Sequence, residues 1–222
     1  MKKMVLPGEL IAEGDLKLGS GVYREDNRIY ASVLGLADQG GDLVRVIPMA
    51  GRYMPQVRDY VIADVTTVQY SSWILDINAP YQGVLTPRDY FRDFDSFQAD
   101  LSEIISQGET IYAMIREISP TKRVFLTMKE RGSRKLKGGR MLEITPAKVP
   151  RVIGKKSSMI SMIKEETGCQ IVVGQNGRVW VDGKEELVNL VAEIIKKIEK
   201  EAHTPGLTNN VKDMILDARE KL

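Results

Sequence analysis

The chain has very little of the two residues that build most disulfide and metal sites. Its 222 residues include one cysteine, Cys169, and one histidine, His203. A single cysteine excludes a disulfide framework and a zinc ribbon, and a single histidine excludes a histidine-rich metal centre. We therefore expect no metal or cofactor, a small buried role for Cys169, and an exposed position for His203 at a helix end.

Long apolar runs are also missing. No run reaches the roughly 18 residues that a membrane span requires, and the start M-K-K-M-V-L-P-G lacks the hydrophobic region of a signal peptide. The hydrophobic content of 43% is nevertheless enough for ordinary cores. These features predict a soluble, cytoplasmic protein of one large or two to three small domains, with no membrane partner.

The small net charge of +2 conceals a strong asymmetry. Residues 118–157 contain twelve Lys or Arg and two acidic residues, so this segment carries +10 and the rest of the chain −8. Such a block is typical of a polyanion-binding face or of a solvated linker. Because it ends at a glycine-lysine turn suited to phosphate, we favour nucleic acid as the partner and keep the linker as the alternative.

Residues 1–53 are rich in glycine and in short β-like runs. Strands are predicted at 29–34 and 43–47, with a turn at 38–42 between them. No catalytic motif occurs here. We predict a small β-domain that serves in docking, or a scaffold without a separate role.

Residues 54–130 predict a five-stranded barrel of the OB type, because five short strand patterns follow one another in about seventy residues. Such barrels bind oligonucleotides on strands two and three and through the loops that join strands 1–2 and 4–5. Tyr70 lies in the first of these loops, Trp73 on strand two, and Lys122 and Arg123 in the other loop. Stacking aromatics beside cations predict a site for single-stranded RNA, although core packing explains Trp73 equally well.

An acidic stretch follows the third strand and includes Asp93, Asp95, Asp100 and Glu103. Grouped carboxylates can hold Mg²⁺ for phosphodiester chemistry. Their spacing fits no metal motif known to us, so we favour solvated acids. A metal-dependent nuclease stays as the less favoured alternative.

Residues 131–142 combine three glycines with repeated cations, among them Arg131 and Arg134. This composition predicts a flexible, basic interdomain linker.

Residues 143–205 predict the element order β-α-α-β-β-α, followed by a helical tail over 206–222 that Asn210 caps. Between the first two helices, the turn Gly154-Lys155-Lys156-Ser157 places backbone N–H groups and two ammonium groups at a helix N-terminus, which suits a phosphate. A hairpin turn is predicted at 174–177, where Asn-Gly is the strong signal.

This order, with V-I-G-K-K-S between its first helices, resembles a type I KH domain. The clamp of that family is Gly-x-x-Gly and grips about four nucleotides. Ser157 stands where the family has its second glycine. The hydroxyl of Ser157 can cap the helix and contact a phosphate, so the turn is either a modified RNA clamp or a protein contact.

The whole chain is similar to the RNA-binding cap subunit of the archaeal exosome, over about residues 5–205. The barrel looks like the S-one class of OB-fold RNA-binding domain, and the order of β-domain, barrel and KH domain matches. Arg58 departs from the family, which has glycine there. The matching landmarks are the strand 29–34, Tyr53-Met54-Pro55, residues 59–62 and 72–77, and the signature Gly174-x-Asn176-Gly177.

The resemblance implies a multidomain fold of β plus α+β type and a subunit that is not an enzyme. Three copies would cap a ring of phosphorolytic subunits, dock through the N-terminal domain, and guide single-stranded RNA 3′ ends inward. An architectural cap with little RNA contact is the main alternative. The residues that we predict to contact RNA are Tyr70, Trp73, Lys122, Arg123, Arg131, Arg134, Gly154, Lys155, Lys156 and Ser157.

Overall fold

The computed structural model describes residues 3–49, 51–91, 100–201 and 207–219. Contacts divide the chain into two compact units, Met1–Gly51 and Arg52–Leu222. His203, Asp93 and Asp95, for which predictions were made, lie outside the described residues. No helix in the described ranges has both the length and the apolar character needed to cross a membrane.

The first unit is a β-domain with two small sheets, as predicted. One sheet has the order β1-β6-β7-β3 and the other β2-β5-β4. Residues 38–40, predicted as part of a turn, instead continue β6, and the chain reverses at Gly41, whose φ is +60°. Val5, Ala31 and Val46 form the core of the unit. The strands are β1 Lys3–Val5, β2 Leu10–Glu13, β3 Lys17–Leu18, β4 Val22–Glu25, β5 Arg28–Ala31, β6 Gly35–Gly40 and β7 Leu43–Pro48.

The second unit begins with the predicted OB barrel. Its strands are β8 Tyr60–Val68, β9 Trp73–Asp76, β10 Gly83–Leu85, β11 Thr110–Ile118 and β12 Val124–Thr127. They pair in the order β8-β9-β10-β12-β11 and back to β8, so the barrel closes. The β10–β12 pair is parallel and the others are antiparallel. Val61, Ala63 and Val65 alternate inward along β8, as period-two patterning requires.

Two short helices lie between β10 and β11, α1 Pro87–Tyr90 and α2 Leu101–Ile104. Two of the acids in this region, Asp89 and Asp100, have structural partners. Asp89 is buried and accepts from Arg116 Nη1 at 2.9 Å and from the Thr86 hydroxyl at 2.8 Å. Asp100 accepts from the backbone N–H of Ser102, and this hydrogen bond lowers the Asp100 pKa.

The segment before β8 contains Tyr53-Met54-Pro55 and Asp59, and a hydrogen bond links its two ends. The Tyr53 hydroxyl donates to Asp59 Oδ2 at 2.6 Å. Burial, the larger effect, raises the Asp59 pKa, while the hydrogen bond from Tyr53 lowers it. Tyr53 therefore belongs to the barrel unit and not to the preceding β-domain.

The prediction of a flexible linker over 131–142 is wrong, because half of these residues form strands. The strand β13 Arg134–Leu136 pairs with β11, and β14 Arg140–Glu143 is the first strand of the next sheet. Leu136 is buried in a small cluster with Ile62 of the barrel and Trp180 of the KH domain. Burial of Leu136 and the open edge of β11 hold this basic segment in place, so the barrel and the KH domain form one unit.

The KH domain has the predicted order β-α-α-β-β-α. Its sheet is β14-β16-β15, all antiparallel, and Cys169 is buried in its core as expected. The final helix begins at Leu207, before the predicted cap Asn210, because Leu207 is itself buried with Val211 and Ile215 against the KH core. The elements are α3 Val149–Ile153, α4 Ser158–Thr167, β15 Gln170–Val173, β16 Arg178–Asp182, α5 Glu185–Lys200 and α6 Leu207–Arg219.

Candidate nucleic-acid interface

A cleft of about 440 Å³ opens on the barrel beside β9 and β10. Ile74 and Val84 contribute apolar surface, and the half-buried ring of Tyr81 lies next to them. Lys122 and Arg123 line the same cleft from the loop between β11 and β12. The cleft therefore lies on the face predicted from the OB pattern.

A tight loop holds the two cations at the cleft. The backbone N–H of Lys122 donates to the Ser119 carbonyl at 2.9 Å, and that of Arg123 to Ser119 Oγ at 3.0 Å. Lys122 adopts a φ of +64° to complete the turn. Both side chains are exposed, and neither forms an ion pair with any residue that the structure describes. Their charges are available to a phosphate.

The opposite side of the cleft adds a hydrogen-bond donor. Ser72 Oγ donates to Gln69 Oε1 at 3.1 Å, and the Gln69 backbone N–H donates to the Ser72 carbonyl at 2.8 Å. The first bond uses the side-chain oxygen of Gln69 and leaves the side-chain nitrogen, Nε2, able to donate. Tyr70, at the tip of this loop, is fully exposed and can stack on a base.

Trp73 is not an RNA contact, and its prediction as one is wrong. The residue has no exposed surface, and its indole N–H donates to the carbonyls of Leu101 and Ile105 at 3.1 and 2.9 Å. Its ring packs at a tilt against Tyr90, with centroids 5.8 Å apart. The aromatic ring in the cleft is instead Tyr81, which sequence reasoning missed although it lies only two residues before the third barrel strand.

The KH turn is exposed, but its backbone is partly used. The N–H of Ser157 donates to the Gly154 carbonyl at 3.2 Å, and the N–H of Ser158 to the Lys155 carbonyl. The Ser157 side chain makes no capping bond to α4, so the predicted cap is wrong. Lys155, Lys156 and Ser157 all face solvent. Cationic side chains are therefore the main groups that this turn offers to an anion.

Glycine at position 154 is required by close packing. A Cβ there would lie 2.7 Å from both the Cβ and the N of Met159. Lys156 and Ser157 follow with φ of +52° and +63°. The left-handed backbone at Ser157 is a conformation that glycine adopts without a steric penalty.

The Gly-x-Asn-Gly signature joins the KH hairpin to the barrel. Asn176 is completely buried. Its Nδ2 donates to the carbonyls of Ile62 and Ile77 at 2.7 and 2.9 Å, and its Oδ1 accepts from the Ile62 N–H at 3.3 Å. A Cβ on Gly174 would lie 2.3 Å from Asn176 Oδ1, and one on Gly177 would lie 2.3 Å from the Ile144 carbonyl. Both glycines therefore permit the close approach that seats Asn176.

Arg178 strengthens the same joint and was missed by sequence reasoning. Its side chain is 8% exposed and contacts Asp76 Oδ2 at 2.5 Å and Asp64 Oδ2 at 3.1 Å. Its Nη1 also donates to the Asp76 carbonyl at 2.9 Å. The sequence offered one signal for this ion pair, a cation in the otherwise apolar strand R-V-W-V, because an arginine is rarely buried without acidic partners.

Neither Arg131 nor Arg134 lines the cleft, since Arg134 begins β13 and Arg131 precedes that strand. Arg134 extends over the ring of Trp180, 6.0 Å from its centroid. The structure thus groups Lys122 and Arg123 in the cleft and places Arg134 at the joint with the KH domain. Across the described ranges, no three His, Cys, Asp or Glu side chains are grouped as a metal site would require.

Comparison with known proteins agrees with this architecture. A family model for the exosome RNA binding protein RRP4 N-terminal domain matches residues 2–50, and a KH domain model matches residues 139–187. The exosome complex component Rrp4 of Thermococcus kodakarensis is 44% identical over 225 residues, which cover 100% of this chain and 88% of the relative. Rrp4 of Methanobrevibacter smithii is 42% identical and covers 96% of this chain and 71% of the relative.

A solved structure supports the same assignment. It is described as an exosome complex RNA-binding protein and superposes with a TM-score of 0.69. The two chains are 36% identical, and the match covers 77% of this chain and 98% of that one. The identity of 42–44% to these relatives, over 96–100% of this chain, shows that the chain belongs to the Rrp4 family of exosome complex components.

Proposed function

We propose that this chain is a non-catalytic RNA-binding subunit that caps the phosphorolytic ring of an exosome and guides single-stranded RNA 3′ ends into it. The observation that carries this proposal is the barrel cleft, where Lys122 and Arg123 lie with Tyr81 and with the apolar side chains of Ile74 and Val84. Cations bind phosphates without sequence preference. The names of the relatives, exosome complex component Rrp4, support the assembly.

Selection of single strands follows from the aromatic side chains. Tyr70 and Tyr81 can stack only on a base whose face is free, and duplex bases are stacked on each other. The cations Lys122 and Arg123 would hold the phosphates on either side of such a base. The cleft therefore favours unpaired RNA over duplex.

Docking to the ring is assigned to the N-terminal unit. Of the ten large hydrophobic side chains that are exposed among the described residues, seven lie in this unit. Exposed apolar surface concentrated in one small domain is typical of a protein interface. Three copies around a ring would each bury this surface. The seven residues are Met4, Leu6, Leu10, Leu18, Tyr23, Leu34 and Leu43.

Charge reversal in the cleft tests the proposed function. We expect Lys122→Glu with Arg123→Glu to weaken single-stranded RNA binding by about 10- to 100-fold and to flatten its log–log salt dependence by about 1.4, since two phosphate contacts are lost. Fluorescence anisotropy over a salt series measures both quantities. The control is Lys196→Glu with Lys212→Glu, two exposed lysines of α5 and α6 with the same change in net charge. Unchanged affinity and salt dependence in the cleft variant would exclude the cleft as the RNA site.

An architectural role for the KH turn is the second candidate, and the internal hydrogen bonds of the turn favour it. If the turn contacts protein and not RNA, we expect Lys155→Glu with Lys156→Glu to change RNA affinity only a few-fold. Co-purification with ring subunits should fall instead if the turn contacts protein. A loss of RNA affinity as large as that of the cleft variant would identify the turn as a true RNA clamp.

A further inference from the structure

We propose that the chain carries a second contact site for single-stranded RNA, at the junction of the barrel and the KH domain. Arg134 and Lys164 would bind a phosphate there, beside the stacked rings of Tyr60 and Tyr112. The inference rests on the proposed function, because it assigns a further stretch of the same RNA strand to a second surface. Neither the cleft nor the KH turn takes part in this site.

The aromatic part of the site lies on the outside of the barrel. Val61 and Ala63 point into the barrel, so alternation along β8 places Tyr60 on the outer face. The rings of Tyr60 and Tyr112 stack with centroids 5.4 Å apart and an angle of 26° between their planes. Both residues are half-buried, and Tyr112 also packs against the buried cluster that contains Leu136 and Trp180.

The cations stand next to these rings. Arg134 is directly opposite Tyr112 in the β11–β13 ladder, which brings its side chain beside the aromatic pair. The Tyr60 hydroxyl donates to the Arg131 carbonyl at 3.3 Å, so the segment leading into β13 also packs on the pair. Arg134 is exposed and reaches over Trp180 of the KH sheet.

Lys164 of α4 brings a second positive charge from the KH domain. Partial desolvation lowers the pKa of Lys164, and the charge of Arg134 lowers it further, so the two cations are near enough to repel each other. Within the described ranges, neither Arg134 nor Lys164 has an acidic ion-pair partner. A phosphate placed between them would remove this repulsion.

The combination of groups identifies the ligand class. A bare anion would use only the two cations, whereas nucleotides use cations and aromatic faces together. Tyr60 and Tyr112 supply the aromatic face, and Arg134 and Lys164 supply the charge. The surface therefore suits a nucleotide of a single strand better than a free phosphate or an acidic peptide.

The junction and one side of the cleft lie at opposite ends of β8. Tyr60 begins this strand and Gln69, which lines the cleft, follows its end, so the length of β8 separates the two residues by roughly 26 Å at about 3.3 Å per residue. Only an RNA long enough to span both sites can engage them together, and its affinity should exceed that of a short RNA.

The test compares two RNA lengths on the full chain. Anisotropy titrations would use unstructured oligonucleotides of about 4 and about 16 nucleotides. We expect Arg134→Glu with Lys164→Glu to weaken binding of the longer RNA at least tenfold and that of the shorter RNA less than twofold. Arg134→Lys should keep most of the affinity, since the charge remains. Lys196→Glu with Lys212→Glu is the matched control, and melting curves check that each variant is folded.

Three outcomes would overturn the junction site. The first is unchanged affinity of the longer RNA in the reversed variant. The second is that inorganic polyphosphate binds as tightly as RNA and that Tyr60→Leu has no effect, which would make this an anion site only. The third is normal RNA binding with loss of co-purified ring subunits, which would make it a protein contact. If only Lys122→Glu with Arg123→Glu has no effect, the proposed cleft fails while the junction stands.

Discussion

Replacing Asn176 with alanine is expected to destabilise the barrel–KH unit by about 3–5 kcal/mol, because each buried polar group left without a partner costs about 1–3 kcal/mol. The side chain is fully buried and serves three backbone groups, namely the carbonyls of Ile62 and Ile77 and the N–H of Ile62. Alanine has no polar atom to replace these bonds. The joint between the domains should therefore weaken together with the stability of the unit.

Thermal and urea unfolding measure this loss. A change of this size should lower the melting temperature by about 6–20 °C in a domain of this length. The control is Asn189→Ala, in which an exposed asparagine loses one surface hydrogen bond from Arg140, with an expected cost of about 0.5 kcal/mol. Equal midpoints for the wild type and Asn176→Ala would show that the signature does not hold the joint.

Replacing Trp73 with alanine is expected to cost about 3–5 kcal/mol, the usual loss for a large aromatic in a core. Trp73 has no exposed surface and carries a donor bonded to the carbonyls of Leu101 and Ile105. RNA affinity of the folded variant should stay unchanged, because the ring does not reach the cleft. Unfolding curves and RNA titrations below the melting temperature check the two statements separately.

The conservative variant keeps this prediction testable if alanine prevents folding. Trp73→Phe retains a six-membered aromatic ring and loses the pyrrole part of the indole with its N–H, with an expected cost of about 1–3 kcal/mol. Tyr70→Ala should show the opposite pattern, with stability unchanged and RNA binding weaker by about 1–3 kcal/mol from lost stacking. If Trp73→Phe bound RNA more weakly but were as stable as the wild type, Trp73 would have to contact RNA after all.

The elements that the sequence predicts well are those with strong local patterns. Alternation along β8 and glycine-bounded strands identify the barrel, and the amphipathic α4 and α5 identify the KH domain. Even the departures from the family pattern are consistent with the fold. Arg58 and Ser157 stand where the family has glycine, and both have positive φ, at +75° and +63°. The backbone requirement persists although the residue has changed.

The features that sequence reasoning missed depend on distant partners. The segment Arg134–Leu136 has no local strand pattern, and it forms β13 because β11 offers an edge and Leu136 finds a buried cluster. The Trp73 ring is buried in the barrel because its indole N–H finds acceptors there, two carbonyls about thirty residues further along the chain. Arg178 is satisfied by Asp64 and Asp76, which are separated from it by more than a hundred residues. Each case is decided by tertiary structure, which overrides local propensity.

The positions of the two tryptophans give this molecule a pair of intrinsic fluorophores. Trp73 is enclosed in the barrel core, while Trp180 lies at the seam with the KH domain, under the Arg134 guanidinium and bonded to the Gly138 carbonyl at 2.8 Å. Since the chain has no other tryptophan, the emission of Trp73→Phe reports on the seam alone. Opening of the seam and melting of the barrel can thus be followed as separate optical signals, without any attached dye.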